Sequence, residues 1–187
     1  MRVFARITEA DWPEAKRGWI GEAMRSATGR DHLWITASEI AALREGRLER
    51  SLALRIARFH LIDNTRGEPP MWDADEVEGL DLELRPAAAE AVDGARSILT
   101  GRVRLLSGDR ARRCDAIIHG WIEADADALR RFDLVARCRF EGEGRYTPNA
   151  PPGPFTLVVA TRLAQGSTAD RVPPQAARDL RGYLGGR

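Results

Sequence analysis

The segment FHLIDNTRGEPPMW, residues 59–72, gathers His60, Asp63, Asn64, Arg66 and Glu68 in one turn-rich stretch. His60 and Asp63 could act as a general base with its orienting carboxylate, with Glu68 as a third catalytic candidate and Arg66 as the cation for an anionic substrate. Trp72 adds an aromatic ligand contact. The same residues also suit a purely structural role. Asp63 and Asn64 can cap a turn, Gly67 can take a positive φ, Pro69 and Pro70 stiffen the exit, and Met71 and Trp72 anchor it in the core. The spacing matches no catalytic signature.

A second candidate lies at EGEGRYTPNAPPGP, residues 141–154. It lacks the Walker spacing and a following helix, which excludes a phosphate loop. Its length suits a lid or a partner-contacting loop, with Arg145 and Tyr146 closing over a ligand, or simple hairpin decoration. A third group comprises His119, Trp121 and Asp133 with Arg102, Arg104, Arg137 and Arg139. On an open face it could contact phosphate or carboxylate, but Asp115, Asp133, Glu141 and Glu143 offset much of its charge and make nucleic acid an unfavoured partner. His32, His60 and His119 lie far apart in sequence, and no two have helical metal-ligand spacing. Neither a metal nor a cofactor is expected.

These groups must be positioned by the elements around them. From residue 97 to 164, four segments alternate apolar and polar residues with a period of two, the pattern of an antiparallel β-meander. Leu99, Val103 and Leu105 share an inward face with Cys114, Ala116, Ile118 and Ile122, and with Phe132, Leu134, Ala136, Cys138 and Phe140. Phe155, Leu157, Val159 and Leu163 belong to the last strand. For the middle hairpin, partner numbers summing to 252 oppose Cys114 to Cys138, His119 to Asp133 and Asp115 to Arg137, with a turn centred on Ala126.

Upstream, Asp11 with Glu14 opens a helix whose stripe runs Ala15, Trp19, Ala23 and Ala27, with Gly29 as its left-handed terminator. Thr36 with Glu39 offers a second capping box for a short helix ending near Gly46. Residues 48–62 fit both a helical stripe (Leu48, Leu52, Ile56, Phe59) and a strand alternation, and the β-prone FHLI tail favours a strand over 53–62. Asp73 caps one turn before a strand at 80–84. Residues 87–95 form an alanine-rich connection. At the end, Val172-Pro173-Pro174 leads to a short helix that docks through Leu180, Tyr183 and Leu184, in cis or on a neighbouring subunit.

The expected fold is therefore α+β: mainly an antiparallel β-meander, curved or partly closed into a barrel, with two or three N-terminal helices packed on it. One domain spans 1–187, divided into a mainly helical part (1–50), the sheet (51–165) and a C-terminal arm (166–187). Apolar residues at 43% and charged residues at 30% of 187 suit a folded soluble chain. A net charge of +1 gives no long-range field toward nucleic acid or anionic lipid. No run approaches the roughly 18 apolar residues of a membrane span, and the start lacks the apolar core of an export signal. Two cysteines without Cys-x-x-Cys spacing read as reduced core thiols, and the expected location is the cytoplasm. The leading functional reading is a non-catalytic ligand- or protein-binding scaffold, with homo-oligomerisation through the C-terminal arm as an option. The alternative is a small hydrolase- or isomerase-type enzyme using His60 and Asp63.

Overall fold

Period-two burial organises the structure, a computed structural model that describes residues 1–8, 23, 25–87, 95–125 and 128–185. Strands β1 (Arg2–Ile7) and β2 (Gly29–His32) precede helices α1 (Ala37–Arg44) and α2 (Arg50–His60). A 3-10 turn at Ala74–Glu76 leads into β3 (Val77–Pro86), β4 (Ala95–Leu106), β5 (Arg113–Ala124), β6 (Leu129–Glu141) and β7 (Phe155–Arg162). Two further 3-10 turns, Thr168–Arg171 and Gln175–Asp179, run into the short helix α3 (Leu180–Gly185). The strands form one antiparallel sheet in the order β2-β1-β7-β6-β5-β4-β3. Among the described residues β2 and β3 are its two edges and do not pair with each other, so the sheet is open rather than a barrel. No helix among the described residues is long and apolar enough to cross a membrane.

The inward side chains expected for the meander are buried, except Leu163, which lies just past the end of β7 and is half-buried. Leu99, Ile118, Phe132, Ala136 and Cys138 have no exposed surface, and Leu43, Leu52, Ile56 and Trp72 join them in a single core. The sheet starts earlier than the sequence partition: in β1, Val3, Ala5 and Ile7 are buried and alternate with less covered Arg2, Phe4 and Arg6. The helix expected from Asp11 falls almost wholly outside the described residues, as do most of residues 87–95 and the turn at Ala126. Gly29 opens β2 instead of terminating a helix. A Cβ there would lie 1.8 Å from Asn64 Oδ1, so close packing, not a left-handed backbone, requires glycine.

Two expectations are corrected. Residues 50–60 form a helix, because the stripe Leu52, Ile56 and Phe59 buries a whole face and Ala, Leu and Arg favour helix, whereas in the strand reading Leu54, which is only partly buried, would have to be core. The β5–β6 hairpin pairs residues summing to 254: Cys114 faces Phe140, Ala116 faces Cys138, His119 faces Val135 and Trp121 faces Asp133. Both sums keep the same faces buried, so the core does not choose between them. The observed one aligns Arg113 with Glu141, Asp115 with Arg139 and Glu123 with Arg131, three opposite-charge neighbours. Cys114 and Cys138 are buried free thiols, and their hydrogen bond, with burial second, pushes the Cys114 thiol well up from its ordinary value.

The capping box at α1 forms as read. Thr36 Oγ1 accepts from the Glu39 N–H at 3.3 Å, and Glu39 Oε2 accepts from the Thr36 N–H at 2.9 Å. Glu39 is also buried against Arg55, whose side chain has no exposed surface. Arg55 Nη1 donates to both Glu39 oxygens and to the Trp34 carbonyl, Nε to the Tyr183 carbonyl and Nη2 to the Leu184 carbonyl. Against the upward push of burial, hydrogen bonds from Arg55, Thr36 and Ser51 bring the Glu39 carboxyl below its ordinary range. One guanidinium thus joins both main helices to the C-terminal segment. Arg55→Met leaves that carboxylate buried without its counterion and is expected to cost about 3–5 kcal/mol in urea unfolding at neutral pH; adding Glu39→Leu in the same chain should recover only part of the loss, because the three carbonyls stay unpaired and the Thr36 N–H loses its cap.

Candidate functional site

The loop after α2 is built from its own polar groups. Asp63 Oδ1 accepts from the Thr65 N–H at 3.0 Å and the Thr65 hydroxyl at 2.6 Å, and Oδ2 accepts from Arg66 Nε at 3.0 Å and from Arg66 Nη2. The Arg66 side chain is buried, and its Nη1 donates to the carbonyls of Thr147 and Pro148. Arg66 therefore braces a neighbouring turn. That turn runs from Gly144 to Thr147, closed by a Thr147 N–H to Gly144 carbonyl bond of 3.0 Å, with Arg145 and Tyr146 at its tip. Gly67, at φ +152°, lies so close beneath it that a Cβ would meet the Tyr146 carbonyl at 2.1 Å.

The exit of the loop is tied down as firmly. Trp72 is fully buried, donates Nε1 to the Leu61 carbonyl at 2.9 Å and stacks under the Arg112 guanidinium at 4.2 Å. Arg112 also donates to the carbonyls of Pro70 and Met71, and Arg58 Nε to the carbonyl of Trp72. Met71 and the two prolines are thereby held in a fixed wall.

Between this wall, the Arg145–Tyr146 turn and the C-terminal segment opens a cleft of about 690 Å³. Pro70, Met71 and Tyr146 give it accessible apolar surface, with buried Phe59, Pro69 and Tyr183 behind them; Arg58, Glu68, Asp73, Arg145, Arg178 and Asp179 give it charge. Most of that charge is committed. Arg178 pairs with Glu68 at 2.5 Å, Asp73 caps the following 3-10 turn, and Asp179 accepts from the Gly182 N–H at 3.0 Å. Arg145 lies over the Tyr146 ring at 5.2 Å and has no ion pair among the described residues.

The structure thus brings Glu68, Trp72, Arg145 and Tyr146 to one cleft and leaves His60, Asp63 and Arg66 outside its lining. His60, at the end of α2, is only 3% exposed. Its carboxylate neighbour is Asp31 of β2, not Asp63: Nδ1 stands 3.5 Å from Asp31 Oδ2, and neither atom has a hydrogen-bond partner among the described residues. On its other side Nε2 lies 3.3 Å from the Tyr183 hydroxyl, which accepts from the Trp34 backbone N–H at 3.2 Å. Asp31 Oδ1 accepts from the N–H groups of His32 and Gln175, so the chain of contacts runs back to the C-terminal segment. Burial first, then the positive charges of Arg55, the N-terminus and His32, pushes the His60 imidazole down to about 3. Burial pushes the Asp31 carboxyl and the Tyr183 hydroxyl up.

Sequence reasoning did not anticipate Asp31, Arg58, Arg178 or the cleft-lining role of Tyr183. Tyr183 was legible as a docking group; Asp31 gave no local sign, being separated from His60 by both main helices. Among the described residues no group of three or more His, Cys, Asp or Glu side chains is placed to hold a metal ion. Comparison with models of protein families, with curated proteins and with solved structures finds no match to this chain.

The buried imidazole has a measurable consequence. Its folded value lies below the ordinary 6.5, so the unfolded chain binds a proton first as pH falls, and stability drops from about pH 6.5 toward 3 at up to about 1.4 kcal/mol per pH unit. The raised Asp31 carboxyl opposes this at pH above its ordinary 3.8, where the folded state takes up that proton first. His60→Gln, which removes the titration, should flatten the urea-unfolding free energy between pH 6.5 and 5; an unchanged slope would assign the acid sensitivity elsewhere.

Proposed function

We propose that this protein is a non-catalytic ligand-binding domain whose cleft takes a small anionic molecule with a flat, largely apolar body. The observation that carries this reading is the pairing of an accessible apolar wall (Pro70, Met71, Tyr146) with one guanidinium, Arg145, that has no carboxylate partner among the described residues. A few polar groups over an apolar surface fix a ligand's orientation and select its charge. The exposed Tyr146 ring under that guanidinium supplies a second flat surface. Arg66 contributes by holding the turn, since its own donors are spent on Asp63 and on two carbonyls.

The catalytic alternative draws less support. An acid–base role for His60 needs access to substrate, and the ring is closed in beneath Tyr183 while Asp63 is engaged by Thr65 and Arg66. Nucleic acid is a poor ligand for a chain of net charge +1. A cytoplasmic location accords with two buried cysteines kept as thiols.

Naphthalene-2-carboxylate serves as a probe of the proposed chemistry. It is expected to raise the melting temperature, its uncharged carboxamide to do so much less, and Arg145→Ala to weaken binding at least about tenfold while leaving the unliganded melting temperature unchanged. Equal stabilisation by the charged and uncharged probes, or no effect of Arg145→Ala, would contradict the reading.

A further inference from the structure

The face of the sheet that points away from α1 and α2 carries a second feature, independent of the cleft. Ile117 and Val135 at its centre are 47% and 49% exposed, and Ile98 nearby is 37% exposed. Around them Arg102, Arg104, Arg137 and Arg139 are exposed and, among the described residues, in no ion pair.

Strand register sets these side chains in rows across β3, β4, β5 and β6. One row reads Asp81, Arg102, Ile117, Arg137; the next toward one end reads Gly79, Arg104, Asp115, Arg139. Toward the other end lie Glu83, Thr100, His119, Val135 and then Arg85, Ile98, Trp121, Asp133. Three pairs of positions across the seam between β4 and β5, one in each of three rows, carry opposite charge: Asp81 and Arg137, Arg104 and Asp115, Arg85 and Asp133. If the face is laid on itself about a two-fold axis running along that seam, β3 of one copy covers β6 of the other and β4 covers β5. Asp81 then meets Arg137, Arg104 meets Asp115, Arg85 meets Asp133, and Ile98 meets Trp121. The stem of Arg102 lies over Ile117.

We propose that this face is a self-complementary, isologous interface with a second copy of the chain. The nearly neutral whole, at +1, puts no net repulsion between copies. Face-to-face sheets pack about 10 Å apart with strands inclined by roughly 30°, so the match holds best at the central Asp81–Arg137 row. Four strands about 4.8 Å apart, each with about eight residues at ~3.4 Å, project roughly 500 Å² before side-chain relief, below the ~800 Å² per partner of a standard interface and in the range of weak, reversible ones. Asp115 and Asp133 already pair along their own strands with Arg113 and Arg131, in exposed contacts that a partner guanidinium can join.

Sedimentation velocity of the full chain tests this. At about 50 µM in low salt the wild type should be a dimer, and its dissociation constant should weaken at least tenfold in ~0.5 M NaCl. Arg137→Asp and Asp81→Arg should each run as monomers with unchanged circular dichroism. An equimolar mixture of these two variants should restore a dimer, because Asp81 of the first meets Arg137 of the second and the two introduced side chains meet each other. Ile117→Ser, which changes no charge, should weaken the dimer as well. A monomeric wild type, a dimer indifferent to these variants, such as one formed through the C-terminal segment, or a mixture that stays monomeric would overturn the proposal.

Discussion

A guanidinium stripped of water must find partners for all its donors, and Arg55 finds them on α1, on the connection after β2 and at the C-terminus. Isolated, that buried cation would be strongly unfavourable; paired with Glu39 and three carbonyls, it fixes the relative placement of the segments that supply them. Because two of the carbonyls belong to Tyr183 and Leu184, the C-terminal segment is part of the folded unit, and one side of the cleft depends on it. Tyr183 extends the same junction through Trp34 and His60 to Asp31.

The cleft follows from that junction together with a second brace. Arg66 uses Asp63 as its counterion and reaches across to Thr147 and Pro148, which sets the Arg145–Tyr146 turn beside Gly67. Arginines dominate the basic residues of this sequence, and in the buried positions they bind backbone carbonyls with a rigid fork that a lysine lacks. Arg55, Arg58, Arg66 and Arg112 all work this way. Arg145 differs in facing the cleft from an exposed turn tip, and the binding reading rests on that difference.

Much of the sheet was legible because period two is a local property: a residue's parity is visible without its partner. The same locality explains the misses. A shift of two residues in the β5–β6 register keeps parity, so the pairing of Cys114 with Phe140 instead of Cys138 could not be read from burial. Residues 50–60 satisfied both periods over a short span, and the helix won through the burial of Phe59, Leu52 and Ile56 on one face. In β1 the alternation of Val3, Ala5 and Ile7 was present, but its pairing with β7 joins opposite ends of the chain. The candidate site divides likewise. The turn chemistry of Asp63 and Gly67 was local and readable, whereas the meeting of Asp31, His60 and Tyr183, or of Glu68 with Arg178, depends on tertiary contacts.

The most direct test of the central claim is a ¹H–¹⁵N correlation titration of the intact chain with naphthalene-2-carboxylate. The account expects saturable shifts concentrated on residues 68–73, on Arg145 and Tyr146, and on residues 175–183, with the Ile117 face unmoved. Shifts confined to another surface, or none at millimolar probe, would contradict a ligand cleft walled by the C-terminal segment.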